Sequence, residues 1–185
     1  MAGRLFIISG SSGVGKGTVI KEFLKNADNI YLSVSTTTRN PREGEVHGVN
    51  YFYVNKDDFK KAVENGDFLE WAEFGGNCYG TSRSAVENTL KEGKNVLLEI
   101  EVQGAKQVKE KMPEAVTIFI LPPSIEEIEK RLRGRGTETE EAIAKRLKAI
   151  EFESQEAQHY DYKVVNDLVK RAADEISKIY EKHKG

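Results

Sequence analysis

The sequence is poor in the residues that build disulfides, metal cages and membrane spans. Its one cysteine, Cys78, permits no disulfide within the chain and excludes a cysteine-rich metal site. No apolar run approaches the roughly 18 residues of a membrane helix. The apolar stretch at residues 5–8 is too short for a signal peptide. These absences predict a cytoplasmic protein that does not associate with a membrane.

Charge of either sign is not in excess. The chain has 28 basic and 30 acidic side chains, a formal net charge of −2. Such a balance creates no overall field that would attract nucleic acid or an anionic membrane, so we expect neither as a partner. Any phosphate must therefore be bound by basic residues that are grouped locally. The 185 residues, 38% of them hydrophobic, suffice for one domain with a full core.

Short apolar runs alternate along the chain with amphipathic stretches. The runs are residues 5–8, 96–98, 116–121 and 162–165. Because they lack polar alternation, they are typical of central parallel strands that are covered on both faces. Apolar residues at helical spacing indicate helices between them. Two such helical faces are Val19, Ile20, Phe23 and Leu24, and Leu168, Ala172, Ile176 and Ile179. The pattern predicts a doubly wound α/β fold, with a central parallel sheet flanked by helices.

Two segments depart from this alternation. Residues 33–82 contain strand-like pieces and one helix near residues 56–64, which predicts a small, mostly β insertion. Residues 125–155 are strongly charged and helical, which predicts a helical lid. We therefore expect a single domain, in which these two segments interrupt a core made of residues 1–32, 83–124 and 156–185.

The most informative motif is a Gly-x-x-x-x-Gly-Lys segment that ends at Lys16, directly after a predicted strand and before a predicted helix. This is the spacing and setting of a phosphate-binding P-loop, whose backbone N–H groups converge on phosphate oxygens. The residues expected to contact the nucleotide are Ser12, Gly13, Val14, Gly15, Lys16, Gly17 and Thr18. The Ser or Thr that usually follows the lysine is replaced by Gly17, so Thr18 is the candidate for a phosphate oxygen or the Mg²⁺ shell. A P-loop alone does not separate a GTPase, an ATPase motor and a kinase.

Two further motifs narrow the function. Residues 33–45 read Ser-Val-Ser-Thr-Thr-Thr-Arg-Asn-Pro-Arg-Glu-Gly-Glu, and residues 76–81 read Gly-Asn-Cys-Tyr-Gly-Thr. Arginines three residues apart, Arg39 and Arg42, suit a compact phosphate dianion. No Asn-Lys-x-Asp motif of a GTPase is present. Taken with the P-loop, these segments resemble the guanylate kinase family, and the resemblance covers essentially the whole chain.

The resemblance implies an enzyme that transfers the γ-phosphoryl group of ATP to GMP, or more weakly dGMP, giving ADP and GDP. The residues implied to hold the GMP phosphate are Arg39, Arg42, Tyr51 and Tyr79, and those implied to face guanine are Ser35, Glu70, Thr81 and Glu101. The residues implied on the donor side are Arg131, Arg135 and Arg146 over the triphosphate and Asn166 near the adenine. Guanine offers N–H donors, which favour carboxylates, and O6, which favours hydroxyls. Family members usually carry Asp at the position of Glu101, which leaves open whether the longer side chain contacts the base directly.

Catalysis in such an enzyme consists of positioning and charge neutralisation. The residues expected to supply the positive charge, with Mg²⁺, are Lys16, Arg39, Arg131, Arg135 and Arg146. Glu99 is a candidate for ordering the Mg²⁺ waters or the acceptor-site arginines. Two alternatives stay open: a kinase for another monophosphate, and a non-catalytic module that binds phosphorylated peptides. The second usually lacks a working P-loop. The oligomeric state is not indicated.

Overall fold

Strands and helices alternate along the chain. The computed structural model describes residues 2–11, 13–124, 126, 129–130, 133–134 and 139–185. The strands are β1 (Leu5–Gly10), β2 (Ile30–Leu32), β3 (Thr36–Thr37), β4 (Phe52–Tyr53), β5 (Phe68–Phe74), β6 (Asn77–Ser82), β7 (Asn95–Glu99), β8 (Val116–Leu121) and β9 (Tyr162–Val165). The helices are α1 (Lys16–Leu24), α2 (Lys56–Glu64), α3 (Arg83–Lys91), α4 (Val102–Lys111), α5 (Glu140–Glu156) and α6 (Val169–His183), with a 3₁₀ helix at Ala157–His159.

The central sheet has the order β2-β7-β1-β8-β9, and all its neighbouring strands are parallel. Side chains of β1 alternate between its two faces. Phe6 and Ile8 pack with buried residues of α1 and α6, whereas Leu5 and Ile7 pack with buried residues of α3 and α4. All four are almost fully buried. The predicted α/β class, with a parallel sheet covered on both faces, is therefore confirmed.

The C-terminal helix departs from its predicted apolar face at one residue. Ala172, Ile176 and Ile179 are buried as expected, but Leu168 is 63% exposed. Leu168 precedes α6 and has an extended backbone, with φ −129° and ψ 125°. Helical spacing does not apply to a residue that lies outside the helix, so the predicted inward direction of Leu168 is wrong.

A second sheet is formed between residues 36 and 82, in the order β4-β3-β6-β5. Strands β5 and β6 form an antiparallel hairpin, and the pairing shifts register between Phe68 and Glu70. Its turn consists of Gly75 and Gly76, with φ of 59° and 76°, values that glycine adopts without steric cost. Helix α2 packs on this sheet by stacking Phe59 on Phe68, with the ring centroids 4.6 Å apart.

The two sheets lie on either side of the candidate site. Strands β1 and β7 of the central sheet end at Gly10 and Glu99, and ligands of open α/β sheets bind beyond such carboxyl ends. The second sheet meets this edge through β5, which packs against α4. None of the helices within the described ranges is both long enough and apolar enough to span a bilayer.

Candidate active site

The P-loop connects β1 to α1. Gly13 and Gly15 have φ of 79° and 86°, so both positions need the freedom of glycine for the loop to curl. Within the described residues α1 has no side-chain cap, and the N–H groups of Lys16 and Gly17 make no hydrogen bond there, so both are available to an anion. The Oγ of Ser11 is also buried in this loop with no hydrogen-bond partner in the described part of the chain. The loop thus presents donors that a phosphate group can satisfy.

Asn166 supports the P-loop from the end of β9. Its Nδ2 donates to the carbonyl oxygen of Val14 at 2.7 Å, and the residue is only 7% exposed. A Cβ on Gly15 would lie 3.1 Å from the same Nδ2, so a larger residue there would disturb this contact. The structure therefore places Asn166 directly behind the loop, 152 residues away in sequence from Val14.

Lys16 begins α1 and points toward the end of β7. Its Nζ lies 3.4 Å from Oε1 of Glu101, and its side chain is 14% exposed. Glu99 lies beside the next residue, because its Oε1 would be 3.7 Å from a Cβ placed on Gly17, and it lines the same cavity as Lys16. The lysine that is expected to meet phosphate is thus paired with the carboxylate of Glu101.

Glu70 lies in a cavity of about 260 Å³ between the two sheets. It is 4% exposed, and its Oε1 accepts a hydrogen bond of 2.6 Å from Oγ1 of Thr81. Burial raises the pKa of the Glu70 carboxyl, although the hydrogen bond from Thr81 and the charge of Lys111 act in the opposite direction. The other predicted residues that line this cavity are Ser35, Tyr51, Tyr79, Glu99 and Glu101.

A second cavity of about 260 Å³ adjoins the first and is lined by Lys16. The residues that line both cavities are Ser35, Tyr51, Glu99 and Glu101. A ligand that rests against Glu70 in the first cavity is therefore directed toward the P-loop lysine in the second.

Arg39 lies beside Tyr51 at the outer side of the cavities. Its guanidinium carbon is 5.4 Å from the centre of the Tyr51 ring, which in turn contacts the Tyr79 ring at a centroid distance of 6.0 Å. These three side chains form one group, and Tyr51 and Tyr79 line the cavity. Arg42 is exposed and, among the described residues, its guanidinium makes no hydrogen bond.

Glu45 holds Arg39 in place within this group, a role that sequence analysis missed. Both of its carboxylate oxygens accept hydrogen bonds from Nη2 of Arg39 at 2.9 Å. Oε2 also accepts from the backbone N–H of Arg42 at 2.7 Å and from the hydroxyl of Tyr53 at 2.9 Å. The bond from Arg39 lowers the pKa of Glu45 to about 2, so this carboxylate stays charged at any ordinary pH. The sequence does contain a signal for this role. Glu45 is a carboxylate six residues after Arg39, in a segment without helical or strand periodicity.

Not every predicted residue can be placed. Ser12, Arg131 and Arg135 lie outside the described residues, and so does the side chain of Arg146. In the described part of the chain, no three His, Cys, Asp or Glu side chains come together as a metal-binding group. Of the predicted Mg²⁺ candidates, Thr18 lies in the first turn of α1, and the Oε1 of Glu99 would be 3.7 Å from a Cβ on the neighbouring Gly17.

Three residues of α4 near Glu70 were also missed. Gly104 lies against the Glu70 carboxylate, and the side chains of Gln107 and Lys111 bond to the backbone of β5. Gly104 was visible in the sequence beside Glu101, but its contact with Glu70 joins segments more than 30 residues apart.

Comparison with known proteins agrees with this geometry. The sequence model of the family described as guanylate kinase matches residues 2–183. A guanylate kinase of Clostridioides difficile (strain 630) is 52% identical over 182 residues, covering 98% of this chain and 89% of the relative. One of Prochlorococcus marinus (strain MIT 9312) is 52% identical over 176 residues, covering 95% of this chain and 96% of the relative. The crystal structure of guanylate kinase from Anaplasma phagocytophilum superposes with a TM-score of 0.79 at 36% identity, covering 98% of this chain and 86% of that one. This chain belongs to the guanylate kinase family.

Proposed function

We propose that this chain transfers the γ-phosphoryl group of ATP to GMP, producing ADP and GDP. The observation that carries the proposal is the buried carboxylate of Glu70, held by a hydrogen bond from Thr81, in a cavity that adjoins the one lined by Lys16. One end of this space offers the carboxylate of Glu70 and the hydroxyl of Ser35 to a base, and the other offers the Lys16 cation to phosphate. The relatives described above are guanylate kinases as well.

Glu70 gives the site its preference for guanine. The N1–H and N2–H₂ groups of guanine are donors, whereas adenine has no N1–H and carries a donor amine in place of O6. A buried carboxylate left without a donor is costly, so a site of this kind rejects the wrong base strongly. Ser35 and Glu101 line the same cavity and complete the set that we assign to the base.

The acceptor phosphate binds to Arg39, Arg42, Tyr51 and Tyr79 in this proposal. Arg39 is oriented in advance, because Glu45 holds its Nη2 and the Tyr51 ring lies against its guanidinium. Arg42 is exposed and keeps its donors for an anion. A phosphate monoester is already ionised near neutral pH, so the attack on ATP needs no protein base.

The donor triphosphate lies at the start of α1 in this proposal, over Gly13, Val14, Gly15, Lys16 and Gly17. The helix N-terminus and Lys16 neutralise its negative charge. Asn166, directly behind Val14, lies on the side to which we assign the adenine. We keep the prediction that Ser12 joins the loop and that Arg131, Arg135 and Arg146 close over the triphosphate.

Mg²⁺ is the cofactor that we propose. This ion usually keeps several waters and is held by substrate phosphates with one or two protein groups, so a cage of protein carboxylates is not required. Thr18, in the first turn of α1, and Glu99, beside Gly17, fit that modest role. When bound, the ion would supply positive charge that offsets the negative charge of the transferring group.

The test is a coupled assay of ADP formation from ATP and Mg²⁺ with GMP, dGMP, AMP, UMP and dTMP in turn. We expect rapid turnover with GMP, slower turnover with dGMP and little with the other three. Equal turnover of AMP would show a kinase of different specificity. No turnover with any monophosphate would favour the non-catalytic alternative. A cytoplasmic location stays a prediction.

A further inference from the structure

Strand β5, which carries Glu70, is an edge strand of the second sheet. In the order β4-β3-β6-β5 its only strand neighbour is β6. The opposite edge of such a strand normally presents unpaired N–H and C=O groups. Here that edge lies along α4 of the core, and side chains of α4 bond to its backbone groups.

Gln107 replaces the missing strand neighbour. Its Oε1 accepts from the N–H of Trp71 at 3.3 Å, and its Nε2 donates to the carbonyl oxygen of Trp71 at 2.8 Å. One carboxamide thus makes the pair of bonds that a facing residue of an antiparallel strand would make. Lys111 adds a third bond, from its Nζ to the carbonyl oxygen of Leu69.

These bonds hold the peptide groups on both sides of Glu70. The carbonyl of Leu69 belongs to the peptide that enters Glu70, and the N–H of Trp71 belongs to the peptide that leaves it. The backbone of the carboxylate is therefore fixed relative to α4 from both directions.

Gly104 receives the side chain of Glu70. A Cβ at position 104 would lie 2.3 Å from Oε2 of Glu70, so the carboxylate rests directly on the helix. Gly104, Gln107 and Lys111 are three and four residues apart and share one side of α4, which we call its β5-facing side. Glu101, the N-cap of the same helix, lines the cavity beside Glu70.

From this arrangement we infer that Gln107 and Lys111 are positioning residues that set the guanine preference of the site. They act through Glu70, by holding it at a defined place relative to Glu101, and neither of them lines the cavity. The inference depends on the proposed assignment of Glu70 to the base. Base specificity would then depend on two things: the residues that touch the base, and the attachment of β5 to α4.

The first test removes the carboxamide bonds and keeps the size of the side chain. Gln107→Met should lower the preference for GMP over IMP, which lacks only the 2-amino group, by about three- to tenfold, the usual effect of losing neutral hydrogen bonds. The loss should appear as a raised KM for GMP, with kcat and the KM for ATP nearly unchanged. Lys106→Met is the matched control, since Lys106 is exposed one residue earlier and lines a separate cavity with Val102 and Tyr160.

Lys111 provides a second readout, because its charge acts on the ionisation of Glu70. Burial raises the pKa of Glu70, and the charge of Lys111 opposes that effect. The other titratable groups that line the cavity are Tyr51, Tyr79, Glu99 and Glu101. Guanine donors require the ionised carboxylate, so kcat/KM for GMP falls as the pH falls through this pKa. Lys111→Met should shift the fall to higher pH, whereas Lys111→Arg should leave it in place and restore the preference for GMP.

Equilibrium binding of GMP and IMP, measured by calorimetry, should give the same ratios without turnover. Wild-type turnover tests the proposed function, and the ratios in the variants test the positioning, so the two can fail separately. Thermal unfolding identifies a variant that is merely destabilised, and the test then rests on whichever of Gln107→Met and Lys111→Met keeps the stability of the wild type. The inference is overturned if Gln107→Met and Lys111→Met weaken GMP and IMP in equal proportion, or if Lys106→Met changes the ratio as much as they do.

Discussion

In the function that we propose, the base end and the phosphate end of the acceptor site are built in opposite ways. Glu70 is buried, bonded to Thr81 and seated on a core helix. Arg39 and Arg42 lie on a loop, and a partly exposed carboxylate, Glu45, organises them. Buried polar groups discriminate strongly because an unmatched partner is costly, whereas an exposed charge such as that of Arg42 attracts any phosphate and is screened by salt. Selectivity and affinity are thereby assigned to different parts of the same site.

Lys16→Met is the reference for this comparison. It removes a charge that we assign to the ATP triphosphate, so it should lower the rate with every acceptor equally. Removing one oriented charge at the transferring phosphate should lower kcat by about 10² to 10³, with the fold retained. The measurement is steady-state kcat with saturating GMP, together with circular dichroism. Lys21→Met, on the exposed side of the same helix, is the control. Wild-type kcat in Lys16→Met would mean that this lysine is not at the triphosphate.

Glu70→Gln should break the base end alone. It keeps the side-chain size but replaces an acceptor oxygen with a donor amide, so the loss of a charged hydrogen bond should cost about 1.5–3 kcal/mol. This corresponds to about one to two decades in kcat/KM for GMP, mainly as a raised KM for GMP. Discrimination against AMP should shrink as well, while the KM for ATP stays nearly constant. Glu73→Gln, an exposed carboxylate on the same strand, is the control.

If Glu70→Gln lowered kcat/KM for GMP and AMP in equal proportion, the assignment of Glu70 to the base would be wrong. The dependence of GMP affinity on pH, measured on the acid side, gives a second check, because the direction of the expected change is known. Because the pKa of Glu70 is raised by burial, wild-type affinity for GMP should decline as the pH falls through it. The titration of GMP itself is common to both proteins, so only the part of the decline that is missing in Glu70→Gln belongs to Glu70.

Arg42→Ala should break the phosphate end and spare the base end. Its guanidinium is exposed, so the loss should be about tenfold in kcat/KM, smaller than that of a buried charged bond. GMP and AMP should be weakened alike, and the effect should shrink at high salt because the wild-type attraction is screened. The measurement is the GMP-to-AMP ratio of kcat/KM at two ionic strengths, with Lys60→Ala as an exposed control. A changed ratio would assign Arg42 to the base instead.

Glu101→Asp should give the smallest effect. Glu101 lines both cavities and pairs with Lys16 of the P-loop. The pair between Lys16 and Glu101 must open before Lys16 can bind a triphosphate, and a pair with one exposed partner is weak. Shortening the carboxylate by one methylene should therefore tighten binding of a non-hydrolysable ATP analogue by about two- to threefold. Calorimetry with and without GMP measures this. Unchanged affinity in both conditions would show that the pair does not restrain Lys16.

Local patterns in the sequence were enough for four of the five strands of the central sheet, β1, β7, β8 and β9. The apolar runs at residues 96–98 and 116–121 are the strands β7 and β8, and the glycine spacing before Lys16 forms the expected strand–loop–helix. The short strand β2 was missed, since three half-exposed residues carry no pattern of their own. Leu168 was assigned to a helix that begins one residue later.

What only the tertiary structure decided is how distant segments support the site. The sequence indicated Arg39, Glu70 and Asn166 by resemblance, but not that Glu45 organises the first, that α4 seats the second or that the third supports the P-loop. Periodicity along the chain reports which face of an element is buried, because that depends on neighbours three or four residues away. It cannot report which side chain fills an open strand edge or a gap left by a glycine. Those contacts form only after elements from different parts of the chain have packed together.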